Sequence, residues 1–193
     1  MSTMVDVGLV CYIAFKIVMK NLAIILNLLI IFQIGALGQT TTDPEKNLKA
    51  LGIVLKKPPV PVANYVPAVQ VGKLVYLSGQ GPLNDDGQFT KGKVGADVSV
   101  EDAQKAARLT GIRLLEALKG QIGDLNKVKR IVKVLGMVNA SAEFDQHPKV
   151  INGFSDLMVE VFGANGKHAR SAVGVASLPM NIPVEIEMIV ELK

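Results

Sequence analysis

Residues 128–139 read VKRIVKVLGMVN, and they carry the strongest strand signal in the chain. Valine, isoleucine and leucine dominate the stretch, and its basic residues fall near one end, as is common at a solvated strand terminus. The pattern predicts a strand over 128–139 that is apolar on both faces, with Ile131, Leu135 and Met137 opposite Val132, Val134 and Val138. Such a strand needs cover on both sides of its sheet.

Hydrophobic periodicity predicts further strands and helices on both sides of this strand. Gly72-Lys73 between two β-rich runs indicates a hairpin turn, and Ser99 before an amphipathic run indicates a helix N-cap. Gly120 and Gly123 are expected to end that helix. The predicted elements, in chain order, are strands over 65–71 and 74–78, a helix over 100–120, the strand over 128–139, a helix over 148–162, and strands over 171–176 and 184–192.

This order of elements predicts an α+β fold. A strand, a helix and a following strand in one sheet pair in parallel through a right-handed crossover. Two such units joined to hairpins give a two-layer sandwich, in which two helices pack on one face of a mixed β-sheet. The other face stays partly apolar, and a face of this kind is usually buried in an oligomer.

The composition suits one folded domain after an apolar leader. Hydrophobic residues make up 49% of the chain and charged residues 20%, which excludes a disordered protein. Pro58-Pro59 and Pro61 break the weak helical pattern before them. We therefore interpret 39–57 as a linker or short helix and 58–193 as the folded domain.

Residues 1–38 have the features of a signal peptide or a membrane anchor. From Met19 onward there is a short basic start, then an apolar core shorter than a spanning helix, then the small residues Ala36 and Gly38 before a polar stretch. With Met19 as the true start, cleavage after this segment predicts an exported protein, periplasmic or secreted. The alternative is an uncleaved segment that anchors the protein to a membrane.

The residues that the chain lacks exclude several kinds of chemistry. One cysteine, Cys11, and two histidines, His147 and His168, are too few for a zinc site or an iron–sulfur cluster. No glycine-rich phosphate loop follows a strand, and no serine–histidine–acid set has family spacing. The net charge of +4 gives little reason to expect nucleic acid as a partner. We expect neither a metal nor another cofactor.

One pair of motifs near the C-terminus has catalytic potential. Residues 168–175 read HARSAVGV, and 184–187 read VEIE after Leu178-Pro179. Arg170 starts one predicted strand and Glu185 lies on the next, which we expect to form a hairpin with it. An arginine fork can hold a carboxylate with two parallel hydrogen bonds. The alternatives are a surface arginine at a strand end and the solvent side of an amphipathic strand.

These motifs, together with 71–80 (VGKLVYLSGQ), Gly123-Asp124-Leu125 and Asn152, resemble the RidA/YjgF family, also called the endoribonuclease L-PSP family. The resemblance spans most of 64–193 and implies a chorismate mutase-like fold and a homotrimer with a cleft at each subunit interface. It also implies deamination of reactive 2-imino acids to 2-oxo acids. The resemblance further implies that Arg170 binds the substrate carboxylate and that Glu185 helps to position the attacking water. It implies that the cleft is lined by Tyr65, Ser78 and Asn152.

The first strand departs from the imine-hydrolysing pattern. Those family members usually carry Pro-Tyr-Ser-Gln there, whereas this chain has Asn64-Tyr65-Val66-Pro67 and keeps only the tyrosine. The departure indicates a divergent subgroup, so a non-catalytic trimer that binds a small carboxylate is the alternative to a deaminase. A ribonuclease is the third reading, and it has the least support. The chain lacks paired catalytic histidines and a basic stripe, and only 5% of its residues are aromatic.

Overall fold

A computed structural model of the chain describes Lys16, Met19, Lys20, 42–57 and 64–193. The chain divides into two compact units, 1–41 and 42–193. The signal peptide or anchor predicted for 1–38 lies outside the described residues, apart from Lys16, Met19 and Lys20, which are helical. In the part of the chain that the structure describes, no helix combines the length and the apolar character that crossing a membrane requires.

The second unit is built on one mixed sheet of five strands. The strands are β1 (Ala68–Val71), β2 (Leu74–Gln80), β3 (Val128–Asn139), β4 (Ala169–Val175) and β5 (Val184–Leu192). Their order in the sheet is β1-β2-β5-β3-β4, with β3 and β4 parallel and the other neighbours antiparallel. The helices are α1 (Pro44–Ala50), α2 (Val100–Ile122) and α3 (His147–Phe162). The predicted α+β fold with a mixed sheet is confirmed, with α1 as a third helix.

The two long helices pack against each other and against one face of the sheet. Alternate residues of β5 are almost completely buried under them: Val184, Ile186, Met188 and Val190. At Gly153 a Cβ atom would overlap the backbone carbonyl of Gln104, so only glycine lets α3 come this close to α2. This approach sets the position of the neighbouring α3 residues that face β4.

The signals at the ends of α2 are mostly as predicted. Ser99 is the N-cap, and its Oγ accepts a hydrogen bond of 3.1 Å from the amide of Asp102. Gly123 ends the helix with a φ of 82°, a left-handed value that suits glycine. Gly120, which we also expected at the end, lies inside the last turn. The hairpin at Gly72-Lys73 is confirmed by the pairing of Val71 with Leu74.

The compact unit begins at Thr42, upstream of the domain start that we placed at residue 58. Asp43 caps α1 by accepting the amide of Lys46 at 3.0 Å. The Asn47 side chain donates to the Val161 carbonyl of α3 at 2.9 Å, and Leu48 is only 3% exposed. Helix α1 therefore packs on the helical layer as part of the domain.

A β-bulge on β3 overturns part of the predicted face assignment. Ile131 pairs with Val190 of β5, whereas Lys133 pairs with Ile189, so β3 has one more residue than β5 here. Ile131 is consequently fully buried on the helix side with Val134 and Val138, whereas Val132 is half-buried, like Leu135 and Met137. The prediction that grouped Ile131 with Leu135 is wrong, because strict alternation has no place for the inserted residue.

The predicted hairpin between the last two strands is also wrong. β4 pairs only with β3, and β5 lies on the other side of β3, between β3 and β2. The burial of the two strands explains their places. One face of β5 is buried along its whole length, which suits the centre of the sheet, whereas all residues of β4 are exposed or half-buried, which suits an edge.

Candidate functional site

Arg170 lies on the edge strand β4 and points toward α3. It is in register with Val134, a fully buried residue on the helix side of β3. Its Nη1 donates to Asn152 Oδ1 at 3.0 Å and to Ser155 Oγ at 2.9 Å, and both acceptors are on α3. Its Nη2 makes a longer contact of 3.4 Å with the Pro148 carbonyl. The side chain is thus half-buried in a polar notch between β4 and α3.

The notch extends to His168, two residues before Arg170. Ser155 Oγ lies 3.1 Å from His168 Nε2, and His168 Nδ1 lies 2.7 Å from the Gly166 carbonyl. Burial lowers the pKa of His168, and the positive charge of Arg170 lowers it further, against the hydrogen bond to Gly166, which raises it. His168 is therefore neutral near pH 7.

The guanidinium of Arg170 has no carboxylate partner among the described residues. Its hydrogen bonds are all to neutral groups, an amide, a hydroxyl and a carbonyl, and its Nε makes none within the described part of the chain. A half-buried positive charge of this kind attracts anions, and the planar fork suits a carboxylate. The notch can therefore bind a small carboxylate.

The predicted partner of Arg170, Glu185, lies on the opposite face of the sheet. It alternates with the buried residues Val184 and Ile186 of β5, so its side chain is on the face without helices. Its carboxylate lies directly over Gly79, where any Cβ would overlap it. Burial raises the pKa of Glu185 above the usual carboxyl range, and the neighbouring charge of Glu187 raises it further.

Ser78, another predicted site residue, lies on the Glu185 side of the sheet. Ser78 directly precedes Gly79 on β2, and its Oγ donates to the Val66 carbonyl at 2.7 Å. Tyr65, next to Val66, is 52% exposed. This sheet face, which we call the open face, also holds a groove of about 420 Å³ lined partly by Tyr76, Leu135 and Ile189.

The structure thus separates the predicted site residues. Arg170 and Asn152 are in hydrogen-bond contact on the helix side, whereas Glu185 and Ser78 lie toward the open face. Tyr65 lies in the exposed segment before β1. Sequence reasoning missed Ser155 and His168. The sequence spacing could have identified both. Ser155 is three positions after Asn152, which puts the two on one face of α3, and His168 is two positions before Arg170, which puts the two on one side of an extended chain.

A metal centre has no ready ligand set within 42–57 and 64–193. In these ranges no three histidine, cysteine, aspartate or glutamate side chains lie close enough together to hold an ion. The two sides of the sheet carry charged groups instead. The Arg170 guanidinium is on one side, and the Glu185 carboxyl, with its raised pKa, is on the other.

Comparisons with known proteins agree with this fold and cover most of the second unit. The chain is 44% identical over 147 residues to Protein TCP17 of Trypanosoma cruzi, covering 76% of this chain and 92% of that protein. It is 34% identical over 135 residues to a 2-iminobutanoate/2-iminopropanoate deaminase of Dermatophagoides farinae, covering 70% and 91%. A crystal structure of Atu1372 from Agrobacterium tumefaciens, described as of unknown function, aligns with a TM-score of 0.72 and 45% identity, covering 78% and 94%. The model of the YjgF/chorismate mutase-like endoribonuclease family matches residues 45–192, and the chain belongs to this family.

Proposed function

We propose that the protein is a deaminase that hydrolyses reactive 2-imino acids to 2-oxo acids and ammonia. The observation that carries the proposal is the Arg170 guanidinium, held by Asn152 and Ser155 and without a carboxylate partner among the described residues. A 2-imino acid carries a carboxylate next to the reacting carbon, so an arginine that binds the carboxylate also places that carbon. Relatives that are 31–34% identical carry the name 2-iminobutanoate/2-iminopropanoate deaminase.

The chemistry asks for few groups beyond this arginine. A protonated imine carbon is already electrophilic, and water attacks it to form a carbinolamine. Glu185 takes the proton from the attacking water and returns it to the nitrogen. The carboxylate then takes the hydroxyl proton as the C=O bond forms and the C–N bond breaks, and ammonia leaves with the 2-oxo acid. Its raised pKa favours such a shuttle, because a carboxyl is most effective when its pKa lies nearer the working pH.

The two halves of this machinery must come from different copies of the chain. Arg170 and Asn152 are on the helix side of β4, and Glu185 and Ser78 are on the open face, with β3 between the strands. We therefore assign the site to the interface of a homotrimer, where one protomer contributes Arg170 and its neighbour contributes Glu185, Ser78 and Tyr65. The groove and the half-buried apolar residues of the open face support this packing.

An ammonia-release assay tests the function. 2-Iminobutanoate is generated in situ, and the rate of ammonia release with the protein is compared with the rate without it and with Arg170→Ala. Acceleration by the parent but not by Arg170→Ala supports the proposal. Binding of 2-oxobutanoate without acceleration replaces the deaminase with a carboxylate-binding trimer.

A further inference from the structure

We propose that Ser155 and His168 are positioning residues for Arg170: they fix its guanidinium so that the Nε–Nη2 edge receives the substrate carboxylate. The inference rests on the proposed function of Arg170 as the carboxylate-binding residue. It adds two residues to the site and specifies which edge of the arginine meets the ligand.

The N–H groups of Arg170 that are already hydrogen-bonded show which edge of the guanidinium is free for a ligand. Nη1 has two hydrogens, and Asn152 Oδ1 at 3.0 Å and Ser155 Oγ at 2.9 Å accept one each. Nη2 has only the long 3.4 Å contact with the Pro148 carbonyl, and Nε has no hydrogen bond among the described residues. The ligand therefore meets the side of the fork formed by Nε and Nη2, which presents two parallel N–H groups.

His168 determines the direction of the hydrogen bond at Ser155. A carbonyl oxygen only accepts, so the 2.7 Å contact with Gly166 puts a hydrogen on His168 Nδ1. In the neutral ring Nε2 is then an acceptor, and it takes the hydroxyl hydrogen of Ser155 at 3.1 Å. With its hydrogen directed to His168, Ser155 Oγ turns a lone pair toward Arg170.

The surrounding residues keep this series of hydrogen bonds in one arrangement. The ring of Phe154, which is fully buried, meets His168 edge-on at 5.9 Å and fixes the ring plane. Burial and the facing charge of Arg170 hold His168 in its neutral form. The series of hydrogen bonds thus runs from Gly166 through His168 and Ser155 to Arg170. An arginine held in this way loses less side-chain freedom on binding a ligand than a mobile one.

Paired substitutions test the role through the affinity for 2-oxobutanoate, measured by calorimetry. Ser155→Ala removes the acceptor and should weaken binding by up to about tenfold, because the freed guanidinium must be immobilised when the ligand binds. Ser155→Thr keeps the hydroxyl and should retain most of the affinity. His168→Gln, which offers an acceptor oxygen, should likewise retain most of the affinity that His168→Ala loses. Ser141→Ala, a serine removed outside this chain of hydrogen bonds, is the matched control.

A double-mutant cycle with Arg170 distinguishes a positioning role of Ser155 from a general effect on protein stability. In an Arg170→Ala background, Ser155→Ala should cause no further loss of carboxylate affinity, because the group that it positions is gone. Nitrogen NMR of His168 should show a neutral ring with the proton on Nδ1. Equal affinities for the parent and Ser155→Ala overturn the proposal, and so does a proton on Nε2.

The result for the proposed function is read separately. If the parent binds 2-oxobutanoate through Ser155 and Arg170 but does not accelerate imine hydrolysis, the deaminase proposal fails and the positioning proposal stands. If the parent hydrolyses imines and Ser155→Ala and Ser155→Thr behave alike, the deaminase stands and the positioning proposal fails. If the parent neither binds 2-oxobutanoate nor accelerates ammonia release, both fail.

Discussion

Arg170 and Glu185 lie on opposite faces of one sheet, and β3 runs between the strands that carry them. The arginine is bound to α3 on the helix side, and the carboxylate lies over Gly79 toward the open face. A small substrate that contacted the arginine of one protomer would therefore be out of reach of the glutamate of the same protomer. A reaction that uses both groups requires two copies of the chain.

Subunit mixing should restore activity from two inactive variants. Arg170→Ala lacks the carboxylate-binding group and Glu185→Gln lacks the proton carrier, so neither should hydrolyse imines well alone. When the two are unfolded together and refolded, some interfaces combine the intact Arg170 of one subunit with the intact Glu185 of the other. We expect ammonia release to recover to a measurable fraction of the parent rate. Variants refolded separately and then assayed together are the control, and no recovery after co-refolding would contradict a shared site.

The oligomer itself should be a trimer at micromolar concentration. The open face exposes Val69 and Tyr76 beside a groove of about 420 Å³, and an apolar face of this kind is rarely left in water. Sedimentation equilibrium gives the mass directly. A stable monomer would remove the interface site, whatever the activity of the preparation.

Replacing Arg170 by lysine should be almost as damaging as replacing it by alanine. Lysine keeps the positive charge but has one nitrogen, so it cannot donate to Asn152 and Ser155 while presenting two parallel donors to a carboxylate. Charge-assisted hydrogen bonds contribute about 1.5–3 kcal/mol each. We therefore expect the affinity for 2-oxobutanoate to fall by at least about tenfold in Arg170→Lys, measured by calorimetry. Affinity equal to the parent would show that charge alone is enough.

Glu185 should control the acid side of the pH–rate profile. Burial raises the pKa of Glu185, and turnover needs its ionised carboxylate. As the pH is lowered, the rate should therefore start to fall at a higher pH than it would for an ordinary carboxyl group. Glu185→Gln should slow turnover more than it weakens ligand binding, and the profile that remains should lack this limb. An unchanged acid limb in Glu185→Gln would assign it to another group.

The same raised pKa has a consequence for stability. Because the folded-state pKa of Glu185 lies above the unfolded value, the folded protein binds the proton more tightly. The stability from this group is fully present below the unfolded pKa and is lost as the pH rises through the folded pKa. Glu185→Gln should therefore raise the melting temperature at pH 7 and have little effect near pH 4. A lower melting temperature at pH 7 would mean that the ionised carboxylate is favourably bound.

Most of the fold could be predicted because each strand and helix has its own periodic pattern. The parallel pairing of β3 with β4 follows from the rule for a strand, a helix and a following strand, and the structure confirms it. The place of β5 could not be predicted, since nothing local to 184–192 says that this strand lies on the far side of β3, next to β2. The bulge near Val132 could not be predicted either, because it exists only relative to β5. Arg170 was identified from its own motif, whereas Asn152 was identified through a family resemblance. Ser155 was missed because a serine on a helix normally indicates a solvated face.

Breaking the buried ion pair on α2 by removing one partner should destabilise the domain. Arg113 is 8% exposed and Glu116 3%, and Nη1 of the arginine donates to both carboxylate oxygens at 2.7 and 2.8 Å. The pair also fastens the surrounding loops: Arg113 donates to the Leu83 carbonyl at 2.8 Å, and Glu116 accepts the amide of Lys56 at 3.0 Å. Arg113 Nη2 also donates to Asp85 at 2.9 Å, so removing Glu116 leaves the buried guanidinium with one counterion whose side chain is 73% exposed.

Glu116→Ala should therefore lower the free energy of unfolding by about 1.5–3 kcal/mol, the contribution of a hydrogen bond to a charged group, measured by urea denaturation. The matched control is Lys105→Ala, which removes an exposed pair with Asp102 whose side chains are 79% and 61% exposed. That change should have little effect on the free energy of unfolding, because water screens the exposed charges. The double variant Arg113→Met with Glu116→Leu should recover much of the loss, since it removes both charges and keeps apolar volume. If Glu116→Ala costs no more than Lys105→Ala, the pair contributes little and other contacts hold the 83–87 loop on α2.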